Sequence, residues 1–549
     1  MKIAICQINT TVGDFKANGD KILQGMRWAR EQGASLAVFP ELTLFGYPPR
    51  DLLDRPYMVE ANEVLAEKIA SHTDANFGCV FGMVSKNENA TGRGLYNTAV
   101  FAVGGKIELK QHKTLLPLYD VFDEARHFDS ATDYNVIHFN GVTFGLSLCE
   151  DIWSAYDFNG RKLYSEDPVS RLKGLGAEML INISASPFSI GKAKVRRELL
   201  DENARRHDLP IVYCNLTGGN DELVFDGRSI VVNRQGLPVA EGKPFAEDFF
   251  TIDTNNMQAM DLKILPGESE DIYHALVLGL KDYVAKCGFK KVLLGLSGGI
   301  DSALVAAIAA EAVGPENVLG VLMPSPYSSQ GSIDDSFDLA KRLGIETRLI
   351  PIEKMYHDYL AELSMGETGS LSLTHENIQP RIRGTLLMAL SNSSGALLMS
   401  TGNKSELSCG YCTLYGDMAG GFSVISDVTK TAVFELCRWI NRKEEIIPKA
   451  ILEKAPSAEL KPDQKDQDTL PPYDLLDTIL KLYIEEHLSG AKIIARGFDE
   501  ATVKRIVSMV DTSEYKRRQA APGIKLTAKA FGMGRRLPIA WRYKPLEVV

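Results

Sequence analysis

LLGLSGGIDSALVAAIAAE, residues 293–311, decides the fold of half of this chain. An apolar strand (291–297) runs into Ser297-Gly298-Gly299, then Asp301-Ser302, then a helix over 301–313, so backbone N–H groups and a helix N-terminus converge on one point. Such a point suits a phosphate. The spacing is neither the G-x-x-x-x-G-K-[ST] of a Walker loop nor the G-x-G-x-x-G of a dinucleotide fingerprint, which weakens kinase and dehydrogenase readings. Outward from this turn the pattern repeats: a helix over 270–286, strand 317–323, helix 331–343, strand 346–351 and a later strand at 396–401. Strand–helix alternation at this interval predicts a doubly wound parallel sheet that binds ligands beyond the carboxyl ends of its strands.

Toward the N-terminus the periodicity lapses in TIDTNNMQAMDLKILPGESE (251–270), which carries Pro266-Gly267. The expected division is a first domain over 1–255, a linker over 256–270 and a second domain over 271–549. The first domain reads as strands at 2–9, 35–40, 79–85, 97–103, 106–112, 142–149, 178–184, 209–215 and 228–233, with helices near 16–32, 165–175 and 191–207. This is an α/β layered pattern. Two long polar loops, 366–374 and 453–474, the latter with four prolines, read as mobile lids.

At 549 residues the chain has room for two or more cores, and 45% apolar with 24% charged residues is ordinary globular usage. A formal net charge of −10 argues against a protein organised around nucleic-acid phosphates. The opening MKIAICQINT has no small-residue cleavage site, and no apolar run reaches the ~18–20 residues of a membrane span. Eight cysteines are too few for a disulfide scaffold, so a reducing cytoplasmic setting is expected.

Three residues of the first domain sit at the ends of predicted strands: Glu41 in VFPELTLFGY, Lys113 in QHKTLLPLYDVFDE and Cys149 in LSLCEDIW. A strand-end cysteine can attack a carbonyl, a neighbouring cation would lower its pKa, and a glutamate can move the proton while a lysine steadies the oxyanion. Singly, each has a bland alternative as a small core residue, a helix first-turn acid or a solvated lysine. Together the three blocks, in this order, resemble the carbon–nitrogen hydrolase (nitrilase-like) superfamily over roughly 2–250. That resemblance implies an αββα layered fold and amide hydrolysis through a thioacyl enzyme, with Cys149 as nucleophile, Glu41 as general base and Lys113 as oxyanion stabiliser. KTLLPLYDVFDE and SASPFSIGKAKVRR further resemble glutamine-hydrolysing members, which implies glutamine binding by Tyr119, Ser186 and Lys192.

In the second domain, S-G-G-x-D-S after a strand resembles the pyrophosphate loop of the ATP pyrophosphatases, with their adenine nucleotide α-hydrolase-like fold. The resemblance implies ATP contacts from Gly295, Leu296, Ser297, Gly298, Gly299, Ile300, Asp301 and Ser302, with Asp301 also holding Mg²⁺, a hard cation suited to carboxylate and phosphate oxygen. The blocks LTHENIQPRIRGTLLMALSN (373–392), LLMSTGNKSELSCGYCTLYGD (397–417) and VTKTAVFELCRW (428–439) resemble the NAD synthetases. This implies Thr401 as an ATP contact and Glu406 as a Mg²⁺ or substrate ligand. Asn377, Arg381 and, from SEYKRRQAAPGIK, Lys516 would then lie at deamido-NAD. Asp417 and Lys430 carry over as contacts of substrate and ATP. Single-domain, ammonia-dependent members tend to have a lysine near Leu414, where this chain departs.

Two features invite other readings. Cys409-Gly-Tyr-Cys412 has redox-pair spacing, yet it follows an STGNKSE loop rather than opening a helix after the first strand of a βαβ unit. Lys516 to Lys544 contains nine Lys or Arg and no acid, a nucleic-acid-like run that a site for two anionic nucleotides explains as well. Nearly the whole chain resembles glutamine-dependent NAD synthetases. The implied reaction converts deamido-NAD, ATP, glutamine and water into NAD, AMP, pyrophosphate and glutamate through an acyl-adenylate, with ammonia kept from bulk water along a shielded path. The implied partners are glutamine, ATP with Mg²⁺, and deamido-NAD, in a homo-oligomer, with no nucleic acid, membrane or permanently bound cofactor. The alternatives are an ATP-pyrophosphatase amidotransferase acting on another carboxylate, and a catalytically inert scaffold built on the same domains.

Overall fold

The structure, a computed structural model, describes residues 1–156, 160–261, 265, 267–366 and 372–541. It divides into two compact units, Met1–Pro266 and Gly267–Val549.

The first unit is built on two six-stranded sheets. One has the strand order Asp248–Asp253, Lys2–Gln7, Leu36–Val38, Gly78–Lys86, Leu95–Val103, Lys106–His112. The other runs Pro238–Glu241, Ile230–Val232, Ile211–Asn215, Met179–Ser184, Val142–Leu148, Val136–Phe139. Alternation along the strands assigns the layers. Ile3 and Ile5 of the first sheet pack with Ile181 and Ile183 of the second, while Ala4 and Cys6 face the other way, against Ile22, Met26 and Ala29 of helix Phe15–Glu31. Those three helical residues recur at i, i+4 and i+7, one stripe of an amphipathic helix whose first turn is capped by Asp14. On the outer face of the second sheet, Leu180 and Ile211 pack with Leu199, Leu200 and Ala204 of helix Lys192–His207. The result is a helix–sheet–sheet–helix sandwich.

Three strands of this sandwich, Val136–Phe139, Pro238–Glu241 and Asp248–Asp253, and helix Pro56–Ala70 are absent from the sequence reading. The last strand pairs antiparallel with the first, Lys2 opposite Asp253, a register that no local pattern encodes.

The second unit holds one five-stranded parallel sheet in the order Glu346–Leu349, Val318–Leu322, Val292–Gly295, Leu397–Ser400, Phe422–Ser423. The strand order reverses on either side of Val292–Gly295, so the Ser297–Gly299 turn sits at the topological switch point, where doubly wound sheets bind ligands. Helix Ile300–Val313, mostly alanine, valine, leucine and isoleucine after Asp301-Ser302, is buried nearly throughout. A further helical cluster, including Leu476, Ile479, Val503, Ile506 and Val510, forms a core of its own. Of the two loops read as lids, 367–371 lies outside the described residues, and 453–474 contains a short 3-10 turn, Asp466–Asp468, and begins helix Tyr473–Leu480.

Candidate active sites

In the first unit three separate stretches deliver Glu41, Lys113 and Cys149 to one buried cluster. Glu41 follows strand Leu36–Val38 in a turn whose backbone continues to pair with the neighbouring strand: Phe39 N–H donates to Val80 O and Gly82 N–H to Pro40 O, at 2.8 and 3.1 Å. Gly82 permits the approach, because a Cβ there would stand 2.1 Å from the Leu42 nitrogen. Cys149 opens a 3-10 turn directly after strand Val142–Leu148, with a left-handed φ of +36°. Non-glycine residues occupy that region at a cost of about 1–3 kcal/mol, and they cluster at functional turns.

The Lys113 ammonium lies 2.8 Å from Glu41 Oε1 and 2.8 Å from Glu124 Oε1. Asn97 Nδ2 donates to both carboxylates, at 2.7 and 3.3 Å, and Ala185 N–H donates to Glu41 Oε2 at 2.8 Å. Tyr47 Oη donates to Glu124 at 2.9 Å. Burial works against the charge on Lys113, but Glu124 and Glu41 outweigh it and hold the amine protonated well above the ordinary lysine range. Burial likewise pushes the Glu124 carboxyl up.

A cation beside the cysteine is expected to lower its pKa, and Lys113 does pull in that direction, but burial, and after it the charge of Glu41, outweigh it and push the Cys149 thiol well above its usual value. In a dry pocket that holds two carboxylates for one ammonium, a thiolate is disfavoured. At rest the Cys149 sulfur is therefore a thiol, and attack on a carbonyl from it would need a base.

The three residues expected at glutamine border the same cluster. Tyr119 Oη donates to Glu150, the neighbour of Cys149, at 3.0 Å, and Tyr164 Oη donates to that carboxylate at 2.7 Å. Ser186 follows Ala185 and is fixed by Asn215, whose Oδ1 accepts the Ser186 N–H at 2.9 Å. Lys192, at the start of its helix, has its ammonium 5.8 Å from the Phe122 ring and 5.9 Å from the Trp153 ring.

In the second unit a cleft of about 290 Å³ opens over the Ser297–Gly299 turn. Gly295, Leu296, Ser297, Gly299, Ile300, Asp301, Thr401 and Glu406 line it. Gly298 has a φ of +72°, and a Cβ there would lie 2.3 Å from the Ser332 carbonyl oxygen, so the loop is held against helix Gln330–Leu343 by the lack of a side chain. Inside the turn, Gly299 N–H donates to Ser297 Oγ at 3.2 Å and Ser302 Oγ donates to Gly299 O at 3.0 Å.

Lys430 donates to Asp301 and lies 3.4 Å from Glu406, while Asn403 Nδ2 donates to the other Asp301 oxygen at 2.9 Å. Burial pushes Glu406 up to about 8 against the pull of Lys430. Burial also raises Asp466, which accepts a 2.7 Å bond from Tyr473. Asp301, Glu406 and Asp466 all line the cleft, and carboxylate oxygens are the hard donors Mg²⁺ takes, beside N–H groups suited to phosphate, although the three are not drawn together into one ligand cluster. Asp417 and Lys430 line the cleft too.

Asn377, Arg381 and Lys516 do not line the cleft; they gather on the segment 410–414. Asn377 accepts from Thr413 at 2.9 Å, Arg381 donates to the Leu414 carbonyl at 3.2 Å, and Lys516 donates to the Gly410 and Cys412 carbonyls, both at 2.7 Å. Part of the basic run after Lys516 is turned inward: Arg517 and Arg535 are buried, and both, with the exposed Arg518, pair with Glu514, at 3.0, 3.0 and 3.2 Å. Arg542 and Lys544 lie outside the described residues.

Residues 2–260 match the carbon-nitrogen hydrolase family and residues 272–520 the NAD synthase family. A glutamine-dependent NAD(+) synthetase of Synechocystis sp. is 48% identical, the alignment covering 99% of each chain, and one of Thermotoga maritima is 43% identical over 99% of each. The chain belongs to the glutamine-dependent NAD(+) synthetases. Its fold is matched by the solved glutamine-dependent NAD+ synthetase of Acinetobacter baumannii in complex with ADP, at 39% identity and a TM-score of 0.77 over 98% of both chains.

For a synthetase of this family, several residues at the two sites escaped the sequence reading. Glu124 closes the KTLLPLYDVFDE block, so its position was in view while its role was not. Asn97 lies inside a strand and reads as an ordinary polar position. Arg383 lines the cleft over the Ser297–Gly299 turn, and burial lowers it to about 10; its Nε donates to the Met323 carbonyl at 3.0 Å. Lys454 and Glu459 come from the loop read as a lid and line the same cleft, paired with one another at 3.1 Å.

Proposed function

We propose that this chain makes NAD from deamido-NAD, ATP and glutamine, using both of its units. The observation that carries the proposal is the presence, in one chain similar along its full length to glutamine-dependent synthetases, of a buried Glu–Lys–Cys cluster and a cleft over the glycine turn at 297–299.

In the first unit the Cys149 thiol attacks the glutamine carboxamide carbon while Glu41 accepts the thiol proton. Lys113 donates to the developing oxyanion. The C–N bond breaks as Glu41 returns the proton to the nitrogen, ammonia leaves, and a thioester remains. Glu41 then takes a proton from water, whose oxygen attacks the thioester carbon; the C–S bond breaks, glutamate is released, and Glu41 returns the proton to the Cys149 sulfur. Tyr119, Ser186 and Lys192 hold the substrate, Lys192 serving its carboxylate as a point charge.

In the second unit the nicotinate carboxylate of deamido-NAD attacks the α-phosphorus of ATP. Pyrophosphate departs into the turn formed by Gly295, Leu296, Ser297, Gly298, Gly299, Ile300, Asp301 and Ser302, and ammonia then displaces AMP from the acyl-adenylate. Thr401 contacts ATP, and Asn377, Arg381, Glu406 and Lys516 serve deamido-NAD. Asp301 and Glu406 would hold Mg²⁺, which when bound supplies charge neutralisation to the phosphates. Asn403 and Lys430 keep the Asp301 carboxylate oriented toward the cleft.

Ammonia must reach the acyl-adenylate unprotonated, so the proposal includes transfer sheltered from bulk water. It also includes cytoplasmic residence, which the eight unbridged cysteines favour, and homo-oligomeric assembly. No helix among the described residues is long and apolar enough to cross a membrane.

The test is a mass-resolved product assay with ATP, Mg²⁺, deamido-NAD and either glutamine or ammonium, on wild type and Cys149→Ala. Synthesis by the variant from ammonium but not from glutamine is the expected result. Absence of NAD with either donor in the wild type would refute the synthetase reading. Isotopically labelled bulk ammonium added beside glutamine reports on sheltering, with little label entering NAD if transfer is direct.

A further inference from the structure

Asp151 lies two residues beyond Cys149 in the same turn, and its side chain is buried. Its Oδ1 accepts the backbone N–H groups of Thr114 and Leu115, at 3.0 and 2.8 Å. Its Oδ2 accepts the N–H of Leu148 at 3.0 Å. The first two donors immediately follow Lys113, and the third immediately precedes Cys149. One carboxylate therefore joins the two backbone segments that carry the amine and the thiol.

The chemistry of the residue type fits this connection. Strand Lys106–His112 ends just before Lys113, so the next buried N–H groups lose the sheet as a source of acceptors. A carboxylate offers acceptor lone pairs on both oxygens, whereas an asparagine has one acceptor oxygen and would turn an NH₂ toward either Leu148 or the lysine segment. Burial pushes Asp151 up to about 7 while the donors from Leu115 and Leu148 pull it down, so a buried acid is retained here against its desolvation cost.

We propose that Asp151 is a positioning residue for glutamine hydrolysis, setting the placement of the Lys113 ammonium relative to the Cys149 thiol. All three of its hydrogen bonds go to backbone, so it acts through Lys113 and Cys149 and not on the substrate. The Lys113 stem is long and flexible, and its ammonium is useful only where the oxyanion forms; a displacement of about 1 Å can cost about 100-fold in rate. This inference rests on the reading of the first unit as a glutaminase.

The experiment uses the full chain as wild type, Asp151→Asn and Asp151→Ala. It measures kcat and KM for glutamine, the rate of thioester formation by rapid quench and mass spectrometry, NAD formation from ammonium, and the melting temperature. In Asp151→Ala, kcat and the thioester rate are expected to fall about 100-fold. KM should stay within about threefold, because transition-state placement and not uniform binding is lost. Asp151→Asn, which can keep the two bonds to the lysine segment, is expected in between, and ammonium-supported synthesis is retained. Should Asp151→Ala fail to fold, the isosteric Asp151→Asn decides. A folded variant with wild-type kcat and thioester rate overturns the proposal, as does a loss confined to melting temperature or to KM. Failure of the glutaminase reading shows separately, as a wild type that forms no thioester.

Discussion

Glu41 and Glu124 share one ammonium: the Nζ of Lys113 stands 2.8 Å from an oxygen of each. The charge balance of the site is therefore two carboxylates to one amine before the thiol ionises. Replacing Glu124 with glutamine leaves Lys113 paired with Glu41 alone and removes a negative charge that raises the Cys149 pKa. Glutamine turnover in Glu124→Gln is expected to fall about 100-fold, comparable to the loss of one preorganised group at an oxyanion site. The inflection in the pH dependence of Cys149 alkylation is expected at lower pH than in wild type. An unchanged inflection would show that Glu124 does not act on the thiol.

The Ser297–Gly299 turn depends on the missing side chain of Gly298, for which the left-handed φ and the 2.3 Å approach to Ser332 are independent reasons. Gly298→Ala should cost about 1–2 kcal/mol in backbone strain alone, and further displacement of the turn where the methyl meets the Ser332 carbonyl. NAD formation is expected to drop with both glutamine and ammonium, with the KM for ATP raised, while the thioester at Cys149 still forms. Steady-state kinetics with varied ATP check this.

Glu514 pairs with Arg517 and Arg535, both buried, and with the more exposed Arg518, while Asp511 adds a second attraction to the two buried ones. Glu514→Ala strands two buried guanidinium groups, and breaking a buried pair from one side costs about 3–5 kcal/mol. Denaturant unfolding should register a loss of this order. A loss under about 1 kcal/mol would place the cluster with surface ion pairs instead.

His112 is held neutral: burial, then Lys110, lower it to about 4. It is stacked on Tyr96 at 4.1 Å between ring centroids, and its Nδ1 lies 2.8 Å from Thr98 Oγ1. Its pKa is about 6.5 in an unfolded chain. Its contribution to stability is complete above pH 6.5 and is lost as pH falls toward 4, because the unfolded chain binds a proton that the folded one refuses. Glu124 and Asp151, raised in the folded state, act in the opposite sense, so a comparison between variants isolates the histidine. The melting temperature of His112→Gln should fall less than that of wild type between pH 7.5 and 4.5. Parallel curves would mean that folding does not shift the His112 pKa.

The sequence by itself determined what short-range geometry dictates. A strand, two glycines, an acid and a helix converge their N–H groups wherever they occur, so the turn at 297–299 and the repeating βα units were legible without a partner. Glu41, Lys113 and Cys149 were legible through the blocks that surround them. What only the tertiary structure decided depends on groups far apart in the chain. Strand Asp248–Asp253 exists because Lys2–Gln7 offers it a register, and no periodicity within six residues reports that. The Cys149 thiol is protonated at rest because burial and Glu41, 108 positions earlier, outweigh Lys113. The basic run after Lys516 read as open to phosphates, yet Glu514 takes up three of its arginines. Backbone preference is a property of neighbours in sequence. Desolvation and Coulomb energy are properties of neighbours in space, and the folded chain chooses those.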